Sequence, residues 1–408
     1  MKTEIHIGDC LEVLRTLPAG SVQTCITSPP YWGLRNYLDA AAQIGLEKTP
    51  EDHIAVMVEV FREVRRVLRD DGTLWMNYGD AYAGGKCGGG SPVDKRDPAL
   101  GRKGHDSDKV RGRHEGTSRR STLGPGLKPK DLIGMPWRVA LALQADGWWL
   151  RSSIIWAKGV SFCDSYSGSV MPESCRDRPT RAHENLFLMS KAPRYFYDAD
   201  AVREKSSTPF HAIGGYREGN KNNSEAPEEY FNESLSRAGR NLRDVWIINP
   251  QGFPGAHFAT FPPALVEPCI KAGTSEKGCC ASCGAPIRRI VEATGGTIGE
   301  AWHDHSDDLG LGQQKDADGM ESYSRETTGW EPTCACKDAG EPVPCKVLDP
   351  FGGAGTAALV ADRLGRDAVL VELNKEYAEM ARDRILADCP MFSSVELIGE
   401  KQKGGSDA

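Results

Sequence analysis

The segment that most constrains the fold lies late in the chain. Residues 346–385, KVLDPFGGAGTAALVADRLGRDAVLVELNKEYAEMARDRI, read as strand, Gly-rich turn, helix, strand, helix. Two strands joined through a helix must run parallel, with the helix packed on the sheet. A doubly wound, mostly parallel α/β sheet of the Rossmann type follows. Gly352, Gly353 and Gly355 let the backbone approach a ligand closely. The helix start near Thr356 offers unpaired N–H groups, and Glu372 ends the next strand, where a carboxylate accepts hydrogen bonds from ribose hydroxyls. The order Asp349-Pro350-Phe351-x-Gly353-x-Gly355 lacks the last spacing of G-x-G-x-x-G. It therefore fits a nucleoside without a pyrophosphate better than a dinucleotide. Two alternatives stay open: a tight turn with no ligand, and a nicotinamide-dependent dehydrogenase. The latter normally places its turn at the start of its domain.

A second feature sits at the other end of the chain. SVQTCITSPP reads as a buried strand with Val22 and Ile26 inward, and it runs into Ser28-Pro29-Pro30-Tyr31-Trp32. The prolines carry no N–H, so the local backbone only accepts hydrogen bonds. The Ser28 hydroxyl and the Pro29 carbonyl can both accept from one –NH₂ group, and Tyr31 offers a flat face for stacking. An amine held this way keeps its lone pair free for direct displacement on a sulfonium methyl, a reaction in which positioning does most of the work. A plain proline turn with a capping serine is the competing reading of S-P-P alone.

Between these ends, residues 49–69 read as an amphipathic helix. Thr49 caps it, Pro50 takes its first position, Asp52 completes a box-like pair, and Ile54, Met57, Val58, Phe61, Val64 and Leu68 form its apolar stripe. Strands are expected at 73–77, at WLRSSIIWAK and at 183–190, with helices over 131–145 and from about Pro262. No apolar run reaches the length of about 18–20 residues that a membrane span requires, and MKTEIHIGDC lacks the apolar core of a secretory signal, so a cytoplasmic location is expected. The net charge of −7 conceals an asymmetry. Residues 85–130 carry twelve Lys/Arg against five Asp/Glu, a net +7, which leaves −14 for the remainder.

Taken together, TSPPYW and LDPFGGAGT resemble the catalytic and cofactor motifs of the S-adenosylmethionine-dependent DNA amino-methyltransferases. The resemblance is to the permuted group of N4-cytosine and N6-adenine enzymes, in which the catalytic tetrapeptide comes first. HFATFPPALVEPCIKAGT (257–274), WAK, MPESCRDRPTRAHE and NLRDVW also look familial, and the likeness covers most of 4–80, 127–200 and 240–388. It implies that Ser28, Pro29, Pro30 and Tyr31 hold and stack the target base. It further implies that Asp9 contacts the adenine of S-adenosylmethionine, that Asp349, Phe351, Gly352, Gly353, Gly355 and Thr356 line its pocket, and that Glu372 holds its ribose. His257, Phe258, Thr260 and Pro262 match the segment closing the pocket, although an ordinary helix start reads as well there. In such enzymes serine at the first motif position goes with cytosine and Asp or Asn with adenine, so cytosine N4 is favoured, with adenine N6 as the alternative. The base must leave the duplex to react. RNA or protein amides are further alternatives as substrates, and a restriction endonuclease is an implied partner. A nucleoid-associated cytoplasmic enzyme is the implied setting.

The expected organisation is a catalytic half (1–82), a basic loop (83–130), a continuation of the core (131–199), a target-recognition region (200–248), a cofactor-pocket segment (249–278), a zinc-ribbon insertion (279–345), a cofactor-binding half (346–392) and a tail (393–408). Lys95, Arg96, Arg102, Lys103, Arg111, Arg113, Arg119 and Arg120 are candidates for contacting the phosphates of double-stranded DNA, against the reading of a solvated loop. Arg217, Lys221, Arg237, Arg240 and Arg243 are candidates within the recognition region. Cys280-x-x-Cys283 and Cys334-x-Cys336 offer four thiolates for a structural Zn²⁺, with Cys279 and Cys345 as alternative ligands and unligated thiols as the other possibility.

Overall fold

A computed structural model describes residues 1–33, 43–83, 126–163, 166, 168–170, 172–173, 175–204, 239–251, 261–294, 324–337, 339–390 and 393–399. Its centre is a nine-stranded sheet. The strands are β1 (Lys2–Ile7), β2 (Val22–Thr27), β3 (Leu68–Tyr78), β4 (Trp149–Ala157), β5 (His183–Ser190), β6 (Val245–Ile247), β9 (Lys346–Asp349), β10 (Asp367–Glu372) and β11 (Ser394–Ile398). Their spatial order is β11-β1-β10-β9-β2-β3-β5-β4-β6. Only β5 runs against its neighbours, pairing antiparallel with β3 and β4. A separate hairpin joins β7 (Ile287–Thr294) to β8 (Ser324–Pro332).

Helices cover both faces. On one, α1 (Cys10–Thr16), α2 (Pro50–Val67) and α3 (Met135–Ala145) bury Leu14, Met57, Phe61, Val64, Val139 and Leu143. On the other, α4 (Pro263–Gly273), α5 (Thr356–Arg363) and α6 (Lys375–Asp388) bury Val266, Ile270, Leu359, Ala378 and Ile385. With helices on both sides, a central parallel strand has no solvent face, and every residue of β2 is buried. No described helix is long and apolar enough to cross a membrane.

Local chemistry sets the helix boundaries. Thr49 Oγ1 accepts from the Asp52 amide at 3.1 Å and Pro50 occupies the first turn of α2, as expected. The buried stripe differs slightly from the expected one. Met57, Phe61 and Val64 are inside, but so are His53, Val60 and Val67, whereas Ile54 and Val58 are only partly covered and Leu68 already belongs to β3. α3 starts at Met135, not 131. Leu132 is taken by a bridge to Tyr82, and Asp80 Oδ1 accepts from the amides of Gly134 (3.0 Å) and Met135 (3.1 Å), capping the helix from a distance in sequence.

The topology positions the site. From β9 the chain passes through α5 to β10 on one side; from β2 it passes through α2 to β3 on the other. The crevice outside the carboxyl ends of β9 and β2 is thus the switch point of the sheet, where ligands bind in open α/β folds.

Candidate active site

At that switch point two segments more than 300 residues apart are joined directly. Thr27, the last residue of β2, donates its hydroxyl to Asp349 Oδ1 at 2.7 Å, and Asp349 is the last residue of β9. The Phe351 amide donates to the same oxygen at 3.0 Å. Burial pushes the Asp349 carboxyl up to about 7, against the opposing pull of those two donors. The serine-proline motif and the Gly-rich turn therefore leave the sheet side by side.

The SPPY segment is held by a polar chain from three further strands. Ser28 Oγ lies 3.2 Å from Tyr31 Oη and 3.4 Å from Asn77 Oδ1. Tyr31 Oη lies 3.0 Å from Asn77 Oδ1 and 3.0 Å from Glu184 Oε2. Asn77 Nδ2 donates to the Asn185 carbonyl at 3.2 Å, which fixes its amide oxygen toward Ser28 and Tyr31. Lys158, just past β4, pairs with Glu184 Oε1 and lies 4.4 Å over the Trp156 ring. Burial, and then the negative Glu184, raise the Tyr31 phenol well above its ordinary value, so it stays a donor. Its best acceptor is the Glu184 carboxylate, because hydrogen bonds to charged groups are the stronger ones. The Ser28 proton then points to Tyr31 Oη or Asn77, and the lone pairs of Ser28 remain available. The Tyr31 ring stacks on Tyr78 with centroids 4.9 Å apart. Gly79 gives it room, since a Cβ there would stand 2.7 Å from Tyr31 Cε2. Tyr78 is fixed in turn by His53 Nε2 at 2.7 Å, and His53 Nδ1 by Glu47 Oε2 at 2.8 Å.

On the other side of the crevice, Glu372 closes β10. Its Oε2 accepts from the Gly353 amide and its Oε1 from the Asn374 amide, both at 2.8 Å, so each oxygen keeps a lone pair. Burial raises this carboxyl too. The Glu372 carbonyl accepts from Gly8 at 3.0 Å, which brings the end of β1 and Asp9 alongside. Asp9 Oδ1 caps α1 by accepting from Leu11 (2.9 Å) and Glu12 (3.0 Å). Gly355 precedes α5 at φ 73°, and a Cβ there would meet the Ala381 Cβ at 2.8 Å. No side chain caps α5; the Thr356 hydroxyl instead accepts from Arg384 Nη1 at 2.9 Å. The first amides of α5 and the two glutamate lone pairs form a donor-and-acceptor set suited to a nucleoside bearing an amino-acid tail. Pro262, buried, is the residue from which α4 begins.

The remaining expectations divide between described and undescribed residues. His257, Phe258 and Thr260 lie outside the described residues, as do Lys95, Arg96, Arg102, Lys103, Arg111, Arg113, Arg119, Arg120, Arg217, Lys221 and Arg237. Arg240 and Arg243 are described, and both pair with Glu204, at 2.7 and 3.0 Å. Reciprocal 2.9 Å backbone bonds join Glu204 to Arg240. Cys280, Cys283, Cys334 and Cys336 bring their sulfurs within 4.8 Å of one another, at the opposite edge of the sheet. Asn77, Lys158, Glu184 and His53 were not singled out in the sequence. Only the positions of Asn77, Lys158 and Glu184 at or near strand ends, in WMNY, WAK and HE, could have suggested them; His53, in the first turn of α2, gave no such signal.

A family model described as DNA methylase matches residues 22–281 and 346–383. The chain is 37% identical over 378 residues to the type II methyltransferase M.Cfr9I of Citrobacter freundii, covering 93% of this chain and 86% of that protein. It is 38% identical over 378 residues to the type II methyltransferase M.XycI of Xanthomonas campestris pv. cyanopsidis, again covering 93% and 86%. The type II methyltransferase M.SmaI of Serratia marcescens is 35% identical over 383 residues, covering 94% of this chain and 90% of that protein. The stretch the family model skips, 282–345, contains most of the cysteine-bearing insertion.

Proposed function

This chain belongs to the DNA methylases of the N6/N4 amino-methyltransferase family, and from that premise we propose that it methylates the N4 amine of a cytosine extruded from duplex DNA, using S-adenosylmethionine. The observation that carries this reading is the Thr27–Asp349 hydrogen bond of 2.7 Å, which brings the strand end that leads into Ser28 beside the Gly-rich turn. S-adenosylmethionine supplies an electrophilic methyl on a sulfonium sulfur. Glu372 would hold its ribose, the start of α5 its polar tail, and Asp9 and Asp349 its remaining polar and cationic groups.

The chain's own residues prepare the nucleophile. Ser28 Oγ and the Pro29 carbonyl accept the two amine hydrogens and so orient the nitrogen lone pair. The nitrogen forms its new bond to carbon as the sulfur–carbon bond breaks, and it must then release one proton. Ser28 takes that proton while passing its own to Tyr31, and Tyr31 passes its own to Glu184. This chain of donors, 3.2 and 3.0 Å long in its two links, ends on a carboxylate steadied by Lys158. The serine at the head of the motif supports cytosine over adenine. The type II designation of the relatives supports a companion restriction endonuclease with the same recognition sequence.

Nucleoside mass spectrometry of DNA from cells expressing the protein tests the assignment. N4-methylcytosine is expected with the wild type and its loss with Ser28→Ala. N6-methyladenine in its place would overturn the target base, and unchanged modification in the variant would overturn the role of Ser28.

A further inference from the structure

We propose that Cys280, Cys283, Cys334 and Cys336 hold one Zn²⁺ in a closed four-thiolate centre that clasps the foot of the β7–β8 hairpin to the amino-terminal edge of the sheet. The inference concerns folding, and it stands whether or not methyl transfer proceeds as described above.

Geometry is the first support. The two cysteine pairs are separated by 50 intervening residues, yet their four sulfurs lie within 4.8 Å of one another with no disulfide formed among them. A tetrahedral zinc with Zn–S bonds of about 2.3 Å sets its sulfurs about 3.8 Å apart, so only small side-chain adjustments close the site. The first pair, moreover, sits in a turn fixed by backbone hydrogen bonds. Gly284, at φ 70°, donates its amide to the Cys280 carbonyl at 2.8 Å, and Cys280 donates to the Ala285 carbonyl at 2.8 Å. These two bonds close a tight turn that holds Cys280 and Cys283 close together.

The alternative ligands are accounted for elsewhere. Cys279 and Cys345 are buried; the Cys279 thiol donates to the Pro344 carbonyl at 3.8 Å and accepts from Gln23 Nε2 at 3.6 Å, and the Cys345 thiol donates to the Ser275 carbonyl at 3.9 Å. They belong to the interior of the domain, not to the cluster.

The location makes the centre structural. The turn docks on residues at the starts of the central strands: Arg69 of β3 donates to the Cys283 carbonyl, and Gln23 of β2 donates to the Gly284 carbonyl at 3.0 Å while accepting from the Lys346 amide of β9 at 2.6 Å. Gln23 and Ser28 are five residues apart along β2, about 16 Å at the usual rise, so the cluster and the SPPY motif occupy opposite edges. Four protein thiolates also leave no coordination position for water or substrate. The hairpin leaves this clasp and reaches back to the core, with Arg289 on Asp198 (3.1 Å) and Arg325 on Asp200 (2.8 Å).

Metal analysis of the full chain purified without chelator tests the proposal, independently of any activity. About one zinc per chain is expected. Cobalt substitution should give the strong near-ultraviolet charge-transfer bands of thiolate ligation, and a mercurial thiol reagent should release the zinc as four thiols react. The double variant Cys283→Ser/Cys336→Ser should retain less than a tenth of the zinc, whereas Cys279→Ser/Cys345→Ser should retain it. If the first variant fails to fold, the cobalt spectrum and the mercurial titration of the wild type still decide. Absence of metal, iron in place of zinc, disulfides among the four cysteines, or loss of zinc only in the Cys279/Cys345 variant would each overturn the assignment.

Discussion

Replacing Tyr31 by phenylalanine separates the two tasks of that residue. The ring is retained, with its 4.9 Å stack on Tyr78 and its seat against Gly79. What is removed is the hydroxyl, which lies 3.2 Å from Ser28, 3.0 Å from Asn77 and 3.0 Å from Glu184. A hydrogen bond to a charged acceptor contributes about 1.5–3 kcal/mol. Glu184 keeps Lys158, so the loss of stability should fall near the lower end, about 1–2 kcal/mol. The effect on chemistry should be larger. Without Tyr31 Oη the Ser28 proton has only Asn77 at 3.4 Å, and the path to Glu184 is broken. Proton-transfer catalysis by positioned groups is worth ~10²–10⁴-fold. Because Asn77 partly compensates, a decrease near 10²-fold, about 2.7 kcal/mol in barrier height, is expected. Single-turnover transfer of labelled methyl to a cognate duplex measures the chemical step, and calorimetry with S-adenosylmethionine measures cofactor affinity, which should not change. A single-turnover rate within twofold of wild type would refute the donor chain as a route for the proton.

Gly79→Ala probes the same ring from behind: the new Cβ would stand 2.7 Å from Tyr31 Cε2, and overpacking of this kind costs about 1–3 kcal/mol. Displacement of Tyr31 should lower methyl transfer at least tenfold while circular dichroism and cofactor binding stay close to wild type. Asp349 gives a pH dependence. Its carboxyl titrates near 7 in the fold and near the ordinary aspartate value, about 4, when unfolded, so over that interval the native state keeps a proton that the unfolded chain has lost. This contribution to stability is present below about pH 4 and is lost as the pH rises toward 7. Melting curves from pH 4 to 8 should show Asp349→Asn without this component, and parallel curves for variant and wild type would count against a protonated Asp349.

Those features that depend on sequence-local chemistry were legible in advance. The βαβ unit at 346–385 announced itself because strand, glycines and helix are contiguous, and the cap of α2 by Thr49 obeys a rule spanning three residues; the cap of α1 by Asp9 obeys the same rule but was not read from the sequence. The four-cysteine cluster was legible because each knuckle is local, although separating it from Cys279 and Cys345 required knowing which sulfurs meet. What escaped was everything fixed by register across the sheet. Glu184 and Asn77 come together only because β5 runs antiparallel to β3, with Asn77 opposite Leu186. His53 looks like a polar residue on the outside of a helix, yet it is fully buried, because Glu47 and Tyr78 satisfy both ring nitrogens. Arg240 and Arg243, candidates within the recognition region, both pair with Glu204, a partner 36 or more residues away that the sequence did not announce.

The order of the motifs along the chain, serine-proline segment first and Gly-rich turn last, has a simple physical basis in this sheet. In a parallel sheet every strand delivers its carboxyl end to the same edge, whatever its place in sequence. β2 and β9 are neighbours with matched register, Thr24 opposite Val347 and Cys25 opposite Leu348. Two residues beyond Cys25 and one beyond Leu348, Thr27 and Asp349 meet across the seam from opposite ends of the chain. The connection between them can therefore carry long excursions without disturbing the meeting point, so long as each excursion is closed at its base. The described residues show such closures: the Tyr82–Leu132 bridge, the Glu204–Arg240 bridge and the register of β7 with β8. Loop-closure entropy grows only logarithmically with length, so once an excursion is pinned its size costs the fold little. The Thr27–Asp349 contact is then left alone whatever the length of chain between such closures.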